Sequence, residues 1–393
     1  MDFAFTDSQE KFRQEVREFL DAELPPDYID YVGPTIDDCV VHTENGFQIF
    51  KDMARKFGEK GWLSLNWPKE YGGKSYSFVD YLIFLEEIAR RGSPGFNAVG
   101  AKMLAPTLIQ YGTEDQKKRH LEPISRGEQL WAESLSEPEA GSDLGALKTT
   151  AVRNGDYYTI NGQKTWSTFA SYSDWVFILA RTDPTQTGSR GLTFFLIDQS
   201  TPGVETVPIN NLNNEPDFSE IFFDNAKIHR DNVLGEENQG WQVAQTLLSY
   251  ERVYIPPISV IFTLIERVGN YLKKRNDADW QIARHKLANL KVESEIGRLM
   301  CYKIAWLQDK KAATEWHAAQ SRLYSTRLLK RAASEAMDLL GGFGQLGEHE
   351  KQSPLHGWVQ HLFLATRGAT VAAGTSEIQK YLIATKGLGL PRG

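Results

Sequence analysis

Apolar residues follow three successive patterns along this chain. Over residues 6–23 they recur at helical intervals, with Phe12, Val16, Phe19 and Leu20 on one stripe. The same spacing predicts helices over about 43–60, 78–91, 97–111 and 114–125, the last opened by Thr113 and Gln116 at capping-box spacing. Residues 1–126 therefore read as a helical domain. The period then changes to two. "LKTTAVRNGDYYTING" (147–162) alternates on both sides of Asn154-Gly155, a hairpin signal. Further strands are expected over 174–183, 191–199, 203–209 and 219–228, which makes 127–233 a small β-sandwich or barrel domain. From 234 to 393 the helical period returns, over about 238–274, 280–311, 313–340 and 376–387. The expected class is α+β multidomain: helices, then strands, then a four-helix-bundle-like domain.

Composition narrows this picture without redirecting it. The chain has 393 residues, 41% hydrophobic and 24% charged, as in ordinary globular proteins, and more than one core usually organises. Its net charge of -7 argues against a nucleic-acid partner. Cys39 and Cys301 are too far apart to suggest a disulfide framework or metal knuckle, and no metal site is expected. The N-terminus is acidic, unlike a secretory or transit signal, and no run of 18 apolar residues suggests a membrane span. The cytoplasm is the expected compartment.

Several chemistries lack their motifs. "GGFGQLG" has dinucleotide-loop spacing at Gly342, Gly344 and Gly347, but it follows a helical segment, so it reads as a glycine-rich helix ending. There is no GxSxG, Walker loop or HExxH, and the 8 histidines are scattered.

Three polar stretches are candidates for a site, each with a plainer alternative. "SLSEPEAGSDLGAL" (134–147) has small residues, Ala140, Gly141 and Ser142, that let backbone approach a ligand; it equally reads as a loop of Asx and Ser turns. "INGQKTWSTFA" (160–170) puts Trp166 and Thr168 on one strand face, which suits a flat heteroaromatic or a core Trp. "AAGTSEIQKYLIA" (372–384) offers Thr375 or Ser376 as an N-cap with Glu377 in the first turn, either at an anion or ring carbonyl or simply as a capped helix.

Taken together, "SEPEAGSD", "INGQKTWST", "GGFGQ", "GTSEIQK" and the closing "GLGLPR" fall in an order that resembles the acyl-CoA dehydrogenase family over nearly the whole chain. The resemblance implies bound FAD and an acyl-CoA substrate. It implies that Leu135 and Ser136 meet the flavin ring, Ser142 its pyrophosphate, and that Trp166 and Thr168 lie against the isoalloxazine. Thr375 and Glu377 would touch the cofactor from the C-terminal domain. Gln345 would reach the FAD of a neighbouring subunit, which implies at least a dimer.

Two departures from the family pattern redirect the chemistry. Many members carry a catalytic glutamate just before Gly-Thr-Ser; Ala373 stands there. Many also carry Arg-x-x-Phe-Gly near a C-terminal helix start, where this chain reads "WQIARHKLANL", with Arg284 but no Phe-Gly. A different carboxylate is therefore expected as base. Glu251, in "LLSYERVYIPP", has Leu247, Leu248, Tyr254 and Ile255 at the same-face helical positions. A buried carboxylate is pushed toward a pKa useful to a general base; the alternative is a carboxylate paired with an arginine to hold helices together. "YERVY" resembles the family branch whose base sits on this helix in a Glu-Arg pair, which places Arg252 and Ala373 at the substrate. Pro256 and Pro257 predict a kink.

The expected function is FAD-dependent α,β-dehydrogenation of an acyl-CoA to a 2-enoyl-CoA, with electrons passed to an electron-transfer flavoprotein, in a homo- or hetero-oligomer. The alternatives are a non-catalytic or half-competent subunit of a hetero-oligomer and a flavin oxidase or monooxygenase on the same fold.

Overall fold

The computed structural model describes residues 4–25, 44–251, 255–275, 280–312, 315–348 and 350–391. Two compact units emerge, one of residues 42–75 and 95–251 and the other of 1–41, 76–94 and 252–393.

The first unit is built on a sheet. Strands β1 (Trp131–Ser134), β2 (Thr150–Asn154), β3 (Tyr157–Thr168), β4 (Trp175–Arg181), β5 (Leu192–Asp198), β6 (Val204–Ile209), β7 (Phe218–His229) and β8 (Val233–Leu234) join one hydrogen-bonded sheet of order β6-β7-β3-β2-β4-β5-β8, with β1 parallel to β4. The β2–β3 hairpin closes where Asn154 pairs with Tyr157, and Gly155 supplies the left-handed residue (φ 62). β4 and β5 are buried on both faces, so they read as unbroken apolar runs; edge strand β6 alternates. Tyr158, Ile160, Val176, Ile178, Phe195, Ile197, Ile221 and Phe223 make the core on one side of the sheet. Around the sheet lie α2 (Glu44–Glu59), a π-helical turn (Val99–Leu104) running into α4 (Ala105–Tyr111), α5 (Glu114–Ser125) and α6 (Gly240–Glu251). The buried Asn97 side chain ties this turn to β1: its Oδ1 accepts from Gly100 N (2.9 Å) and Trp131 N (3.1 Å), and its Nδ2 donates to Trp131 O (3.0 Å).

The second unit is helical: α1 (Asp7–Glu23), α3 (Phe78–Arg91), α7 (Pro256–Lys273), α8 (Trp280–Asp309), α9 (Glu315–Leu340), α10 (Trp358–Ala369) and α11 (Ser376–Leu382), the last continuing into a π-helical turn to Gly387. Ile258, Ile261, Leu264, Leu290, Leu329, Trp358 and Leu362 belong to one core shared by α7–α10. A buried polar cluster joins α1, α3 and α8. Arg13 donates to Glu86 (2.8 Å), Glu87 and Tyr302 (3.0 Å), while Arg298 (2.5 Å) and Tyr302 (2.7 Å) donate to Glu86. Thus α1 and α3 pack with the C-terminal helices, whereas α2, α4 and α5 group with the sheet. No helix among the described residues is long and apolar enough to cross a membrane.

Within 238–274 the described residues form two helices, α6 and α7, and 252–254 between them lie outside the described residues. Pro256 and Pro257 occupy the first two positions of α7, where a missing N–H forfeits no intrahelical bond. The glycine cluster at 341–345 is a 3₁₀ turn ending α9, in accord with a helix ending and not a dinucleotide loop.

Candidate active site

In the sheet unit, the loop after β1 is held against the end of β3. Ser134 Oγ and Ser167 Oγ are 2.6 Å apart, and Thr165 N donates to Ser136 O (2.9 Å). Beneath the loop lies an ion pair that sequence patterning did not reveal. Lys164, fully buried, donates from Nζ to Glu137 Oε1 (2.8 Å) and Leu135 O (3.2 Å). Glu137 also accepts from the backbone N–H groups of Lys148 (2.6 Å) and Thr149 (3.0 Å). Burial pushes the Lys164 ammonium down to about 8, with Glu137 opposing the shift. Burial would raise the Glu137 carboxyl, but the charge and hydrogen bond of Lys164 outweigh it and hold it below its ordinary value. The pair therefore stitches both ends of the 135–149 loop to β3.

The register between β3 and β7 shifts between Lys164 and Ser167, a bulge that leaves Trp166 left-handed at φ 60. Its indole is 60% exposed and meets Phe218 edge-on, with ring centroids 5.9 Å apart. Trp166 is thus not a core Trp; it offers a flat apolar face to solvent. Thr168, half-buried, pairs with Phe218. Leu135 is buried and Ser136 half-buried beside them, while Ser142 is exposed on the loop. Next to it Gly141 faces open space, where a Cβ would touch nothing within 4 Å. Leu135, Ser136, Trp166 and Thr168 come together in this unit, with Ser142 farther along the same loop.

The helical unit contributes a second set. Thr375, rather than Ser376, caps α11, its Oγ1 accepting from Ile378 N (3.3 Å). Glu377 is exposed in the first turn. Ala373 and Gly374 are both left-handed (φ 51 and 91), and among the described residues neither amide has an acceptor. Arg322 Nη2 donates to Ala372 O (3.0 Å) and Gln379 Nε2 to Gly374 O (3.0 Å), which fixes the turn. Thr375, Ser376 and Glu377 line a cavity of about 390 Å³ with Thr370, Val371 and, from α9, Arg327 and Lys330. Gln345 is exposed at the end of the 3₁₀ turn after α9.

Glu251 is the last residue of α6, with Leu247 fully buried one turn before it. Its side chain, like Arg252 as a whole, lies outside the described residues. Among the described residues no group of three or more His, Cys, Asp or Glu could hold a metal.

Comparison with known proteins decides the family. The family models "Acyl-CoA dehydrogenase, N-terminal domain", "middle domain" and "C-terminal domain" match residues 6–128, 132–226 and 238–388. The chain belongs to the acyl-CoA dehydrogenase family. Acyl-CoA dehydrogenase FadE26 of Mycobacterium tuberculosis is 31% identical over 100% of this chain and 99% of its own. Two solved structures are also similar over 100% of both chains. The Tcur3481-Tcur3483 steroid ACAD is 28% identical with a TM-score of 0.91, and the ChsE4-ChsE5 complex from Mycobacterium tuberculosis 30% identical with a TM-score of 0.88. This acyl-CoA dehydrogenase has the family fold of N-terminal helices, central sheet and C-terminal helices. Its family is one of FAD-dependent flavoprotein oxidoreductases. Homologues assemble as oligomers, two-component complexes among them. In the sheet unit the residues fit a flavin, with an exposed indole beside a hydroxyl and an open glycine loop.

Proposed function

We propose that this chain oxidises the C2–C3 bond of an acyl-CoA thioester to a 2-enoyl-CoA, with Glu251 as the base. The observation that carries the reading is a methyl group at position 373, in a chain whose α6 ends on a carboxylate. A methyl cannot accept a proton, so the carboxylate of Glu251 takes the one on C2. As that proton leaves, negative charge grows on the thioester oxygen. The unpartnered amides of Ala373 and Gly374, successive donors in a left-handed turn, receive it. Bound FAD supplies the two-electron acceptor for the hydrogen that leaves C3 as hydride. Trp166 and Thr168 orient the flavin ring, Leu135 and Ser136 border it, and Ser142 reaches the pyrophosphate. Thr375 and Glu377 hold the cofactor from the helical unit, and Gln345 reaches the cofactor of a neighbouring subunit. Arg252 and Ala373 border the acyl-CoA. Electrons leave to an electron-transfer flavoprotein.

The acyl chain in this proposal is branched, alicyclic or steroid-derived. Its support is a base on the middle helix and likeness to a steroid enzyme. The test is anaerobic titration of the yellow protein with a panel of acyl-CoAs. The parent should bleach; Glu251→Gln should bind acyl-CoA, read as a shifted flavin spectrum, and stay oxidised. Rapid bleaching of that variant refutes the base assignment. Fast reoxidation by air, with peroxide or a hydroxylated product, would instead reveal an oxidase or monooxygenase.

A second reading is favoured by one feature. "WQIARHKLANL" lacks Arg-x-x-Phe-Gly, and similar structures contain two different chains. On this reading a related chain completes the FAD site in a hetero-oligomer. Expressed alone, the protein should then be colourless or aggregated; a yellow, active homo-oligomer excludes it.

A further inference from the structure

Helix α8 carries two apolar stripes on opposite sides. The inner one, through Ala283, Leu287, Leu290, Gly297 and Ile304, is buried in the helical unit, where α8 packs against α3, α7 and α9. The outer one is exposed. It consists of Ile282, Val292, Ile296, Leu299 and Trp306, from 37% accessible at Trp306 to 62% at Val292. A surface helix ordinarily turns polar residues outward. Single exposed apolar residues are common, but five large ones in one line mark an interaction surface. Their spacing is also regular. With His285, Asn289 and Lys303, all exposed, they alternate steps of three and four residues from 282 to 306 without a gap. The result is a seven-residue repeat in which Lys303 is the one lysine or carboxylate-bearing member. A strict repeat of seven drifts around a straight helix, and it stays in contact only with a second helix that supercoils with it.

The register of the seam selects the occupant. An antiparallel copy of α8, related by a twofold axis at Ser294, sets Val292 against Ile296 of the second copy, Asn289 against Leu299, His285 against Lys303, and Ile282 against Trp306. Every seam position then has a partner, and the two central layers are wholly apolar. Sliding by one repeat strands either Ile282 and His285 or Lys303 and Trp306. Parallel pairing would stack Lys303 on its own copy, whereas the antiparallel layer gives its ammonium an imidazole nitrogen as acceptor. The axis also brings Glu293 and Glu295 toward their own counterparts. Glu293 is already paired with Arg331, and Glu295 with Lys291 (3.3 Å) and Arg298 (3.9 Å), so those flanks are neutralised within each chain. We infer that α8 is a self-association surface, packed antiparallel on α8 of a second copy of this chain about a twofold axis at Ser294. Self-pairing through α8 is independent of the proposed reaction, and in a hetero-oligomer it is a contact between like chains.

The experiment measures the mass of the purified holoprotein by sedimentation equilibrium over a dilution series. It compares the parent with Val292→Lys, Ile296→Glu, the double variant Val292→Lys/Ile296→Glu, and an equimolar mixture of the two single variants. Either single variant sets a charge against an apolar side chain in both central layers. The mass should then fall by half, with association weakened at least ~tenfold. The double variant sets lysine against glutamate in both layers and should regain most of the parental association, less so as salt rises. The mixture should regain it too, with one charged layer and one parental layer. Parallel pairing would give no such rescue, and the rescue keeps the test decisive where a single variant is less stable. A monomeric parent, or single variants of parental mass with parental circular dichroism, overturns the inference. So does association regained only on adding a chain of different sequence, which would make a related chain the occupant. Flavin reduction plays no part in the readout, so failure of the proposed reaction leaves this result standing.

Discussion

Lys164→Met offers the sharpest test of how the loop after β1 is held. The substitution keeps the volume of the buried stem but removes Nζ, which donates to Glu137 Oε1 and Leu135 O. Glu137 stays buried with two backbone donors and no countercharge. Breaking a buried pair from one side costs roughly 3–5 kcal/mol. The two remaining N–H donors argue for the lower end, about 3 kcal/mol. At ~2–4 °C per kcal/mol for a unit of this size, the unfolding midpoint should fall by about 6–12 °C. Lys164→Met/Glu137→Gln removes both charges, but its amide oxygen can replace only one of the two carboxylate oxygens that accept from Lys148 N and Thr149 N, so it should recover only about 1 kcal/mol of the loss. The assay is thermal unfolding followed by circular dichroism at one fixed FAD concentration, so that ligand linkage does not confound the comparison. A midpoint that falls by less than about 2 °C, or a double variant as weak as the sum of the singles, refutes the claim that the pair secures the loop.

Burial would raise Glu86, but hydrogen bonds and charges from Arg298 and Arg13 prevail and bring it from 4.5 to about 2. Its folded value lies below its unfolded one, so its stabilisation, about 3 kcal/mol, is fully present above pH 4.5 and fades as pH falls toward 2. Glu86→Gln should flatten stability against pH across that window in urea titrations, and an unchanged slope would rule the carboxylate out. Gly95 sits at φ 101, and an added Cβ would lie 2.7 Å from the backbone N of Ala54. Gly95→Ala should therefore lose at least ~2 kcal/mol from strain and overlap combined, read as a lower urea midpoint.

Much of the architecture is legible because its causes are local. Thr6 with Gln9, Ser77 with Asp80 and Thr113 with Gln116 form complete capping boxes, so α1, α3 and α5 begin where their own residues direct. The unbroken runs of β4 and β5 likewise announce strands buried on both faces. α10 carried no such signal. It starts after Leu355, His356 and Gly357, all left-handed, and is held by packing on α9. Within the candidate site, the cap at Thr375 was readable down to a choice between two hydroxyls. The outward turn of Trp166 was not, because it comes from a bulge set by pairing with β7, about 50 residues away.

Period, caps and prolines act over a few residues, so the chain's own order dictates its succession of helices and strands and the break before α7. The motifs of the acyl-CoA dehydrogenase family are also written in that order. Neighbours that sequence separates were settled by folding. A lysine and a glutamate with no special pattern around them become a buried pair because β3 lies under the loop after β1. Two cations on α9 line one cavity with a carboxylate on α11 because those two helices pack against each other. Burial and long-range charge depend on distances in space, and spacing along the chain does not encode them.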